Sequence, residues 1–416
     1  MYCRWIESAL REKLTRPHVH ILFGARQTGK TTLLRRLIAQ AAIWLDFSVP
    51  SQRVAYLTEP SRLIAECRAL PASAEPLWVV VDEAQMVPDI FNAIQHLYDS
   101  DKTRWRFVLC GSSARKLRAT GANLLPGRSL LHHLHPLILA ERPLPESGSL
   151  TYEVPPPLTI APVKAAADTP LFPPAGLLER LVFGELPGVA MMPAEHRADL
   201  LKAYCQAHLE EELRRESLIK DWPPFARFLQ LAASESGLLV NYSRIAQQAG
   251  VTVPTIKNYY QLLEDMFLVF RLPGFSMSPR KNLLSTDRCF FTDLGVRHAA
   301  AGLAMTTDAV MADPGPVFEQ WVGIELWKRL QYRGEGRLHY LRAKSGMEVD
   351  FILESAGQFT PVEVKWTETP AVTDARHLRT FLSEHPQKAA RGYVVCRCSR
   401  PQQLNDQIVA LPWFCL

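Results

Sequence analysis

Three short apolar runs, Val19–Phe23, Trp78–Val81 and Phe107–Cys110, stand out in the first third of the chain, and small or charged residues follow each of them. Unbroken stretches of Val, Ile, Leu and Phe are what a parallel sheet covered on both faces requires. After the first run, Thr32–Gln40 places Leu33, Leu34, Leu37 and Ile38 at helical spacing. The pattern therefore predicts strand, loop, helix and strand in an α/β sheet. A further helix is predicted over Ala114–Ala119. Near-alternation of His132, His133 and His135 within Leu130–Leu137 reads as a strand showing polar residues to one side, with a metal cluster as the alternative.

Proline is dense from Glu141 to Pro174, which excludes regular helix or sheet and ends the first domain near residue 140. Helical spacing returns from Leu177 to Leu231, with Leu200, Leu201, Tyr204, Leu209 and Leu213 apolar and Glu210-Glu211-Glu212 on an exposed face. These helices are the expected lid. Tyr242–Ala249, a turn at Gly250 and a helix over Val253–Met266 predict a helix-turn-helix, with Thr252 as cap and Pro254 in the first turn. Ile256, Tyr259, Tyr260 and Leu263 form its apolar stripe. Thr255, Lys257, Asn258 and Gln261 remain outside, where a DNA-reading helix carries its contacts; packing on protein is the alternative use of the same unit. Phe267–Phe270 would begin a wing. Towards the carboxyl terminus come a helix over Phe318–Leu330, hairpin strands Leu338–Ala343 and Met347–Glu354 turning at Lys344-Ser345-Gly346, and a strand over Phe359–Trp366.

With 416 residues and 47% apolar content, the chain can bury two to four cores. Arg4, Glu7, Arg11, Glu12, Lys13 and Arg16 leave no room for a secretory or membrane-spanning start, and no later run reaches eighteen uncharged apolar residues. The eight cysteines are scattered without a C-x-x-C pair, which argues against zinc and disulfide frameworks and for a reducing, cytoplasmic setting without a membrane partner. A net charge of +5 is too small to demonstrate nucleic-acid binding, so that case rests on local sites.

Gly24-Ala25-Arg26-Gln27-Thr28-Gly29-Lys30-Thr31 matches G-x-x-x-x-G-K-T at a strand-to-helix turn, the pattern of a loop that holds a nucleoside triphosphate. Gly24 and Gly29 let backbone N–H groups face the phosphates at the positive end of the helix. Lys30 would reach the β and γ phosphates, Thr31 would bind magnesium, and the expected ATP contacts run from Gly24 to Thr32. Asp82, ending the second apolar run, would hold the magnesium through water, and Glu83 would orient or deprotonate the attacking water, which favours hydrolysis over phosphoryl transfer to a small molecule. Ser112 or Ser113, ending the third run, would either sense the γ-phosphate or cap the next helix.

A second constellation lies near the carboxyl terminus. Period-two alternation puts Glu363 and Lys365 on one face of a strand and Asp350 on its neighbour, with Glu319 on the preceding helix as a further ligand. Two carboxylates and a lysine can hold Mg2+ or Mn2+ and a water against a phosphodiester. The arrangement resembles the PD-(D/E)XK nuclease core, although charged alternation on an exposed strand is the plainer reading of so short a pattern.

Together with Asp82-Glu83-Ala84-Gln85, Gly111-Ser112-Ser113, Gly127-Arg128, Gly184-Glu185-Leu186-Pro187, Phe291-Thr292-Asp293-Leu294-Gly295, Phe318-Glu319, Glu348-Val349-Asp350-Phe351 and Glu363-Val364-Lys365, these residues resemble the bacterial and archaeal AAA-type ATPases with a carboxyl-terminal restriction-endonuclease-like region. The resemblance implies an α/β fold: a P-loop core with an additional strand over residues 1–140, a Pro-rich linker or insertion over 141–176, and a helical lid over 177–235. A winged helix over 236–285 and a nuclease-like α/β module over 286–416 complete it. It also suggests Arg128 as an arginine finger acting between subunits of a homo-oligomer, against the alternative that Arg128 pairs with a local carboxylate. Arg288 stands where the family carries lysine, which keeps the charge and changes its geometry. The expectation is a magnesium-dependent ATPase acting on or regulated by DNA. Its rivals are an ATP-regulated, metal-dependent nuclease and a nucleotide-switched protein-interaction module.

Overall fold

Residues 4–112, 125–142, 144–145, 172–209, 219, 221–277, 286–343 and 346–416 are described by the structure, a computed structural model. Ser113, the helix expected over Ala114–Ala119, most of the Pro-rich stretch, Glu210-Glu211-Glu212 with Leu213, and the turn residues Lys344 and Ser345 lie outside the described residues. The chain forms two compact units, Cys3–Pro136 with Gln261–Leu268, and Leu137–Tyr260 with Val269–Leu416.

In the amino-terminal unit, β1 (Val19–Phe23), β2 (Ile43–Asp46), β3 (Leu77–Asp82), β4 (Trp105–Gly111) and β5 (Ser129–His133) make a sheet of order β2-β3-β4-β1-β5, parallel throughout. The three apolar runs are its central strands. β4 lies between β1 and β3, the additional strand that the resemblance implied. Ile21, Val79, Val81, Phe107 and Leu109 pack with Ile90, Phe91, Ile94 and Leu97 of the helix Ile90–Ser100. Burying each such side chain contributes about 1.5–3 kcal/mol, so this stripe orders the sheet. Parallel strands bring their carboxyl ends to one edge, where Phe23, Asp82 and Gly111 arrive together.

The histidine-bearing strand differs from expectation. His132 and His135 are buried, and Leu131 is the exposed residue of β5. His132 stacks on His20 at 5.3 Å, with its Nε2 3.1 Å from Nδ1 of His20. Nε2 of His20 faces the Arg16 carbonyl at 3.3 Å and must donate to it, so Nδ1 accepts and His132 donates. A neutral pair with these tautomers gives both nitrogens of His20 and Nε2 of His132 partners inside the protein, which lets these polar rings turn inward.

The helix-turn-helix consists of Tyr242–Ala249 and Val253–Asp265, with Gly250 left-handed at φ +73° between them, and its residues as far as Tyr260 belong to the second unit. Ile256 and Tyr260 are buried, and Tyr260 meets Phe228 of the helix Trp222–Ser234 edge to face. β6 (Val269–Leu272) and β7 (Arg288–Phe291) follow as an antiparallel ribbon. The helices Leu177–Phe183 and Ala194–Ala203, expected as a lid, pack in this unit on Leu294–Ala301. A Cβ on Gly295 would lie 2.2 Å from the Phe183 carbonyl oxygen, and one on Gly184 would lie 2.2 Å from Asp293, so the two glycine-bearing motifs fit each other.

The remaining strands, β8 (Arg337–Arg342), β9 (Glu348–Ser355), β10 (Gln358–Val364), β11 (Gly392–Cys396), β12 (Gln402–Asn405) and β13 (Ile408–Pro412), form a mixed sheet of order β12-β13-β11-β10-β9-β8. Helices cover both faces. Phe351 meets Gly323 of the helix Pro314–Arg333, while its neighbour Ile352 joins Leu378 and Phe381 of Arg376–Glu384.

Burial pushes His20 down to about 4 and His132 to about 3 from an ordinary 6.5. As pH falls below 6.5, the unfolded chain takes up protons that the folded chain refuses, so stability drops through the window from 6.5 towards 4. Urea midpoints at several pH values should decline across this window in the parent and less steeply in His132→Gln; parallel curves would rule the pair out as the cause.

Candidate functional site

The loop between β1 and the helix Lys30–Leu37 carries the first set of expected residues. Gly24 is pressed against the chain leaving β5, since a Cβ there would lie 2.2 Å from the Leu134 carbonyl oxygen. Ala25 and Thr28 are buried, Arg26 and Gln27 are half-buried, and Thr32 is exposed. Gln27 and Gly29 take left-handed backbone conformations, φ +61° and +88°. Lys30 donates through Nζ to the carbonyls of Gly24 at 2.8 Å and Ala25 at 3.0 Å, so its ammonium lies folded over the loop.

Thr31 and Asp82 meet: the threonine hydroxyl donates to Asp82 Oδ2 at 2.6 Å. The other oxygen of Asp82 accepts the Cys110 thiol at 2.7 Å and the Glu83 backbone N–H at 3.0 Å. Burial, and then the Asp82 charge, push the Cys110 thiol well above its ordinary range, so it stays a donor. Glu83 takes φ +53°, which turns its side chain out of the strand direction, and the Gln85 amide holds its carboxylate. Gln85 also donates to Ser112 Oγ at 3.2 Å, joining the end of β4 to the end of β3. The sequence points to Asp82, Glu83 and Ser112, but not to Cys110 or the bridging role of Gln85. A cysteine inside an apolar run carries no sign that its thiol will face a carboxylate.

Arg128 sits elsewhere. Its carbonyl accepts from Val19 N–H at the start of β1, the edge opposite the loop, some 16 Å away for a five-residue strand (about 3.3 Å per residue). Its guanidinium Nε donates to Asp99 at 2.7 Å, the local carboxylate pairing. On its own chain Arg128 does not reach the loop.

In the second unit, Lys257 and Asn258 are exposed, Lys257 lies 5.6 Å from the Tyr242 ring, and Thr255 bonds to the Thr252 hydroxyl at 2.9 Å. Gln261, exposed in the amino-terminal unit, donates to Asp265 at 3.2 Å.

On the mixed sheet, β9 and β10 bring Asp350 and Glu363 together as the alternation predicted. Lys365 Nζ donates to Glu363 Oε1 at 2.7 Å, and Asp350 accepts the Val364 N–H at 2.8 Å. Glu363 Oε2 is buried without a partner. Burial, reinforced by Glu319 and Glu363, pushes Asp350 far above the usual carboxylate range; burial also raises Glu363, against the pull of Lys365. Burial alone would lower Lys365, yet Glu363 and Asp350 carry it upward. Glu319, expected as a further ligand, is instead paired with Arg288 at 2.6 Å. Among the described residues no three His, Cys, Asp or Glu side chains gather to hold a metal ion, so the three-carboxylate set is not assembled.

Residues 16–142 match the family model described as an AAA domain. The amino-terminal segment is an AAA-type P-loop domain. Residues 175–307 and 314–416 match two domains of unknown function, DUF8612 and DUF4143. The chain is 25% identical over 404 residues to an uncharacterized protein of Mycobacterium tuberculosis, covering 97% of this chain and 82% of that one. An uncharacterized protein of Haemophilus influenzae is 23% identical over 368 residues, covering 83% of this chain and 82% of its own length. Among solved structures, a Walker-type ATPase of Pyrococcus abyssi aligns at 16% identity with a TM-score of 0.45, covering 72% of this chain and 96% of that one. No helix among the described residues is long and apolar enough to cross a membrane.

The contact at Gly24 is testable. Gly24→Ala drives a methyl group into the Leu134 carbonyl, and overpacking against backbone of this kind costs about 1–3 kcal/mol. Thermal unfolding should show a lowered midpoint; an unchanged one would mean the loop does not rest on Leu134.

Proposed function

We propose that this protein is a magnesium-dependent ATPase whose catalytic machinery is the edge where β1, β3 and β4 end. The observation that carries this reading is the Thr31 hydroxyl on Asp82, which joins the phosphate loop to the carboxylate of the neighbouring motif. A threonine hydroxyl and a carboxylate are hard oxygen donors of the kind magnesium accepts, and the close-packed glycine cradle suits phosphate. Bound magnesium would supply Lewis-acid charge at the phosphate oxygens. Loop amides bind the phosphates, Lys30 leaves the Gly24 and Ala25 carbonyls for them, and Asp82 holds its partner hydroxyl in place. Glu83, steadied by Gln85, accepts the proton of the attacking water, and Ser112 shares the same amide, so it reports on the position of Glu83. Arg128 would serve only a neighbouring subunit's nucleotide. The exposed residues Lys257 and Asn258, with Thr255, would be contacts to DNA in the second unit, and Gln261 would be a further one in the amino-terminal unit.

A second reading concerns the carboxyl-terminal cluster. The orphaned oxygen of Glu363 beside Asp350 and Lys365 favours capture of a divalent cation with a phosphodiester, because magnesium needs only one or two carboxylates besides water and phosphate.

Glu83→Gln should keep nucleotide affinity and lose at least about a hundredfold in turnover, the usual worth of a general base. Lys30→Ala should lose binding. Phosphate release and equilibrium titration measure the two, and a Glu83→Gln variant turning over at the parental rate refutes the assignment. For the second reading, linear DNA incubated with Mg2+ or Mn2+ should be cut by the parent and left intact by Asp350→Asn and Lys365→Ala, with ATP turnover unchanged. Intact DNA in every sample discards it.

A further inference from the structure

Arg4 lies just ahead of the helix Glu7–Leu14 and is 5% exposed. Its Nη1 donates to the Thr28 carbonyl at 2.6 Å, and its Nη2 donates to the His135 carbonyl at 2.6 Å. One planar guanidinium thus ties the phosphate loop to the segment that leaves β5, a bridge that the fixed fork of arginine can make and the point charge of lysine cannot reproduce. The helix that follows is held to the helix after the loop by Arg36 on Glu7, 3.1 Å away, which keeps Arg4 in position.

We infer that Arg4 is a positioning residue for nucleotide binding, acting through the Thr28–Gly29 peptide. In a planar trans peptide the carbonyl and the following N–H point in opposite directions. Gripping the Thr28 oxygen from one side therefore presents the Gly29 N–H on the other, at a residue whose backbone is already left-handed. A guanidinium on that carbonyl also polarises the peptide and strengthens its N–H as a donor. Arg4 also stays in ordinary van der Waals reach of Gly29, where a built Cβ would lie 3.8 Å from its Nη1.

The other braces of the loop differ in kind. Lys30 holds the Gly24 and Ala25 carbonyls, and it must release them to reach phosphate. The Thr28 hydroxyl also holds Ala25, at 2.9 Å, but carries no charge. Arg4 is the cationic brace that does not compete with the ligand, so it keeps the loop shaped when Lys30 departs. The inference rests on the ATPase reading and adds a residue outside both sequence motifs.

The experiment uses the full chain with magnesium and a fluorescent ATP analogue, comparing the parent, Arg4→Ala and Arg4→Lys. Arg4→Ala should raise both the nucleotide Kd and the KM by about tenfold or more, the worth of one charge-assisted hydrogen bond, while kcat changes much less. Amide exchange over residues 24–31 should quicken in the ligand-free variant. Arg4→Lys, which keeps the charge and loses the bridge, should fall between the two and serves if Arg4→Ala does not fold. A folded variant with parental Kd and parental loop exchange overturns the inference while leaving the ATPase reading intact. A folded parent that binds no nucleotide overturns both.

Discussion

The hydrogen bond from Thr31 to Asp82 depends on the order of strands in the amino-terminal sheet. The two residues are 51 apart, on elements separated by β2 and two helices, and they meet because β1, β4 and β3 run side by side in the same direction. Parallel order puts every carboxyl end on one edge, so each strand delivers its last polar residue to the same place: the loop from β1, Asp82 from β3, Ser112 from β4. Were β4 not between the other two, Cys110 could not stand against Asp82, and one oxygen of that carboxylate would lose its thiol partner. The catalytic reading therefore depends on sheet topology before it depends on any motif.

The second unit is organised by a different force. Arg180 is fully buried and pairs with Glu185 at 2.6 Å, while Arg142 approaches the same carboxylate at 3.4 Å. Glu325 accepts the Leu139 N–H and pairs with Arg329, and Lys328 donates to the Leu137 carbonyl at 3.1 Å. Asp293 accepts the Glu185 N–H at 2.6 Å. Burial works against both ionised partners, raising Asp293 and lowering Lys328, and each is drawn back by opposite charges nearby. Such networks add little net stability over apolar packing, but removal of one member leaves a buried charge unmatched. Their contribution is geometric: they fix how residues 137–142, the Gly184-Glu185 turn and the helix Pro314–Arg333 dock together.

Arg288 shows how the geometry of one cation shapes its surroundings. Its fork reaches Glu319 while its plane lies 5.3 Å from the Phe290 ring and 5.8 Å from Tyr340. A lysine there would offer a point charge and no plane to stack. Glu319 is thereby held by arginine, and its charge acts on Asp350 and Glu363 from that pairing.

Sequence alone determined the elements whose signal is local. The continuous apolar runs of β1, β3 and β4, the Gly24–Thr31 loop, the helix-turn-helix with its buried Ile256 and Tyr260, and the alternation that put Glu363 and Lys365 together all follow from periods of 2.0 and 3.6 residues and from glycine chemistry. The tertiary structure decided what no local period encodes. It turned His132 inward onto His20, gave Glu319 to Arg288, set Arg128 on the far edge beside Asp99, and brought Cys110 to Asp82, Gln85 to Ser112 and Arg4 to the Gly24–Thr31 loop. Each of these is a contact between residues far apart in the chain, made by polar atoms that burial forces to find partners. A residue's own neighbours in sequence say that it is polar, whereas the packing of distant elements says which partner it will meet.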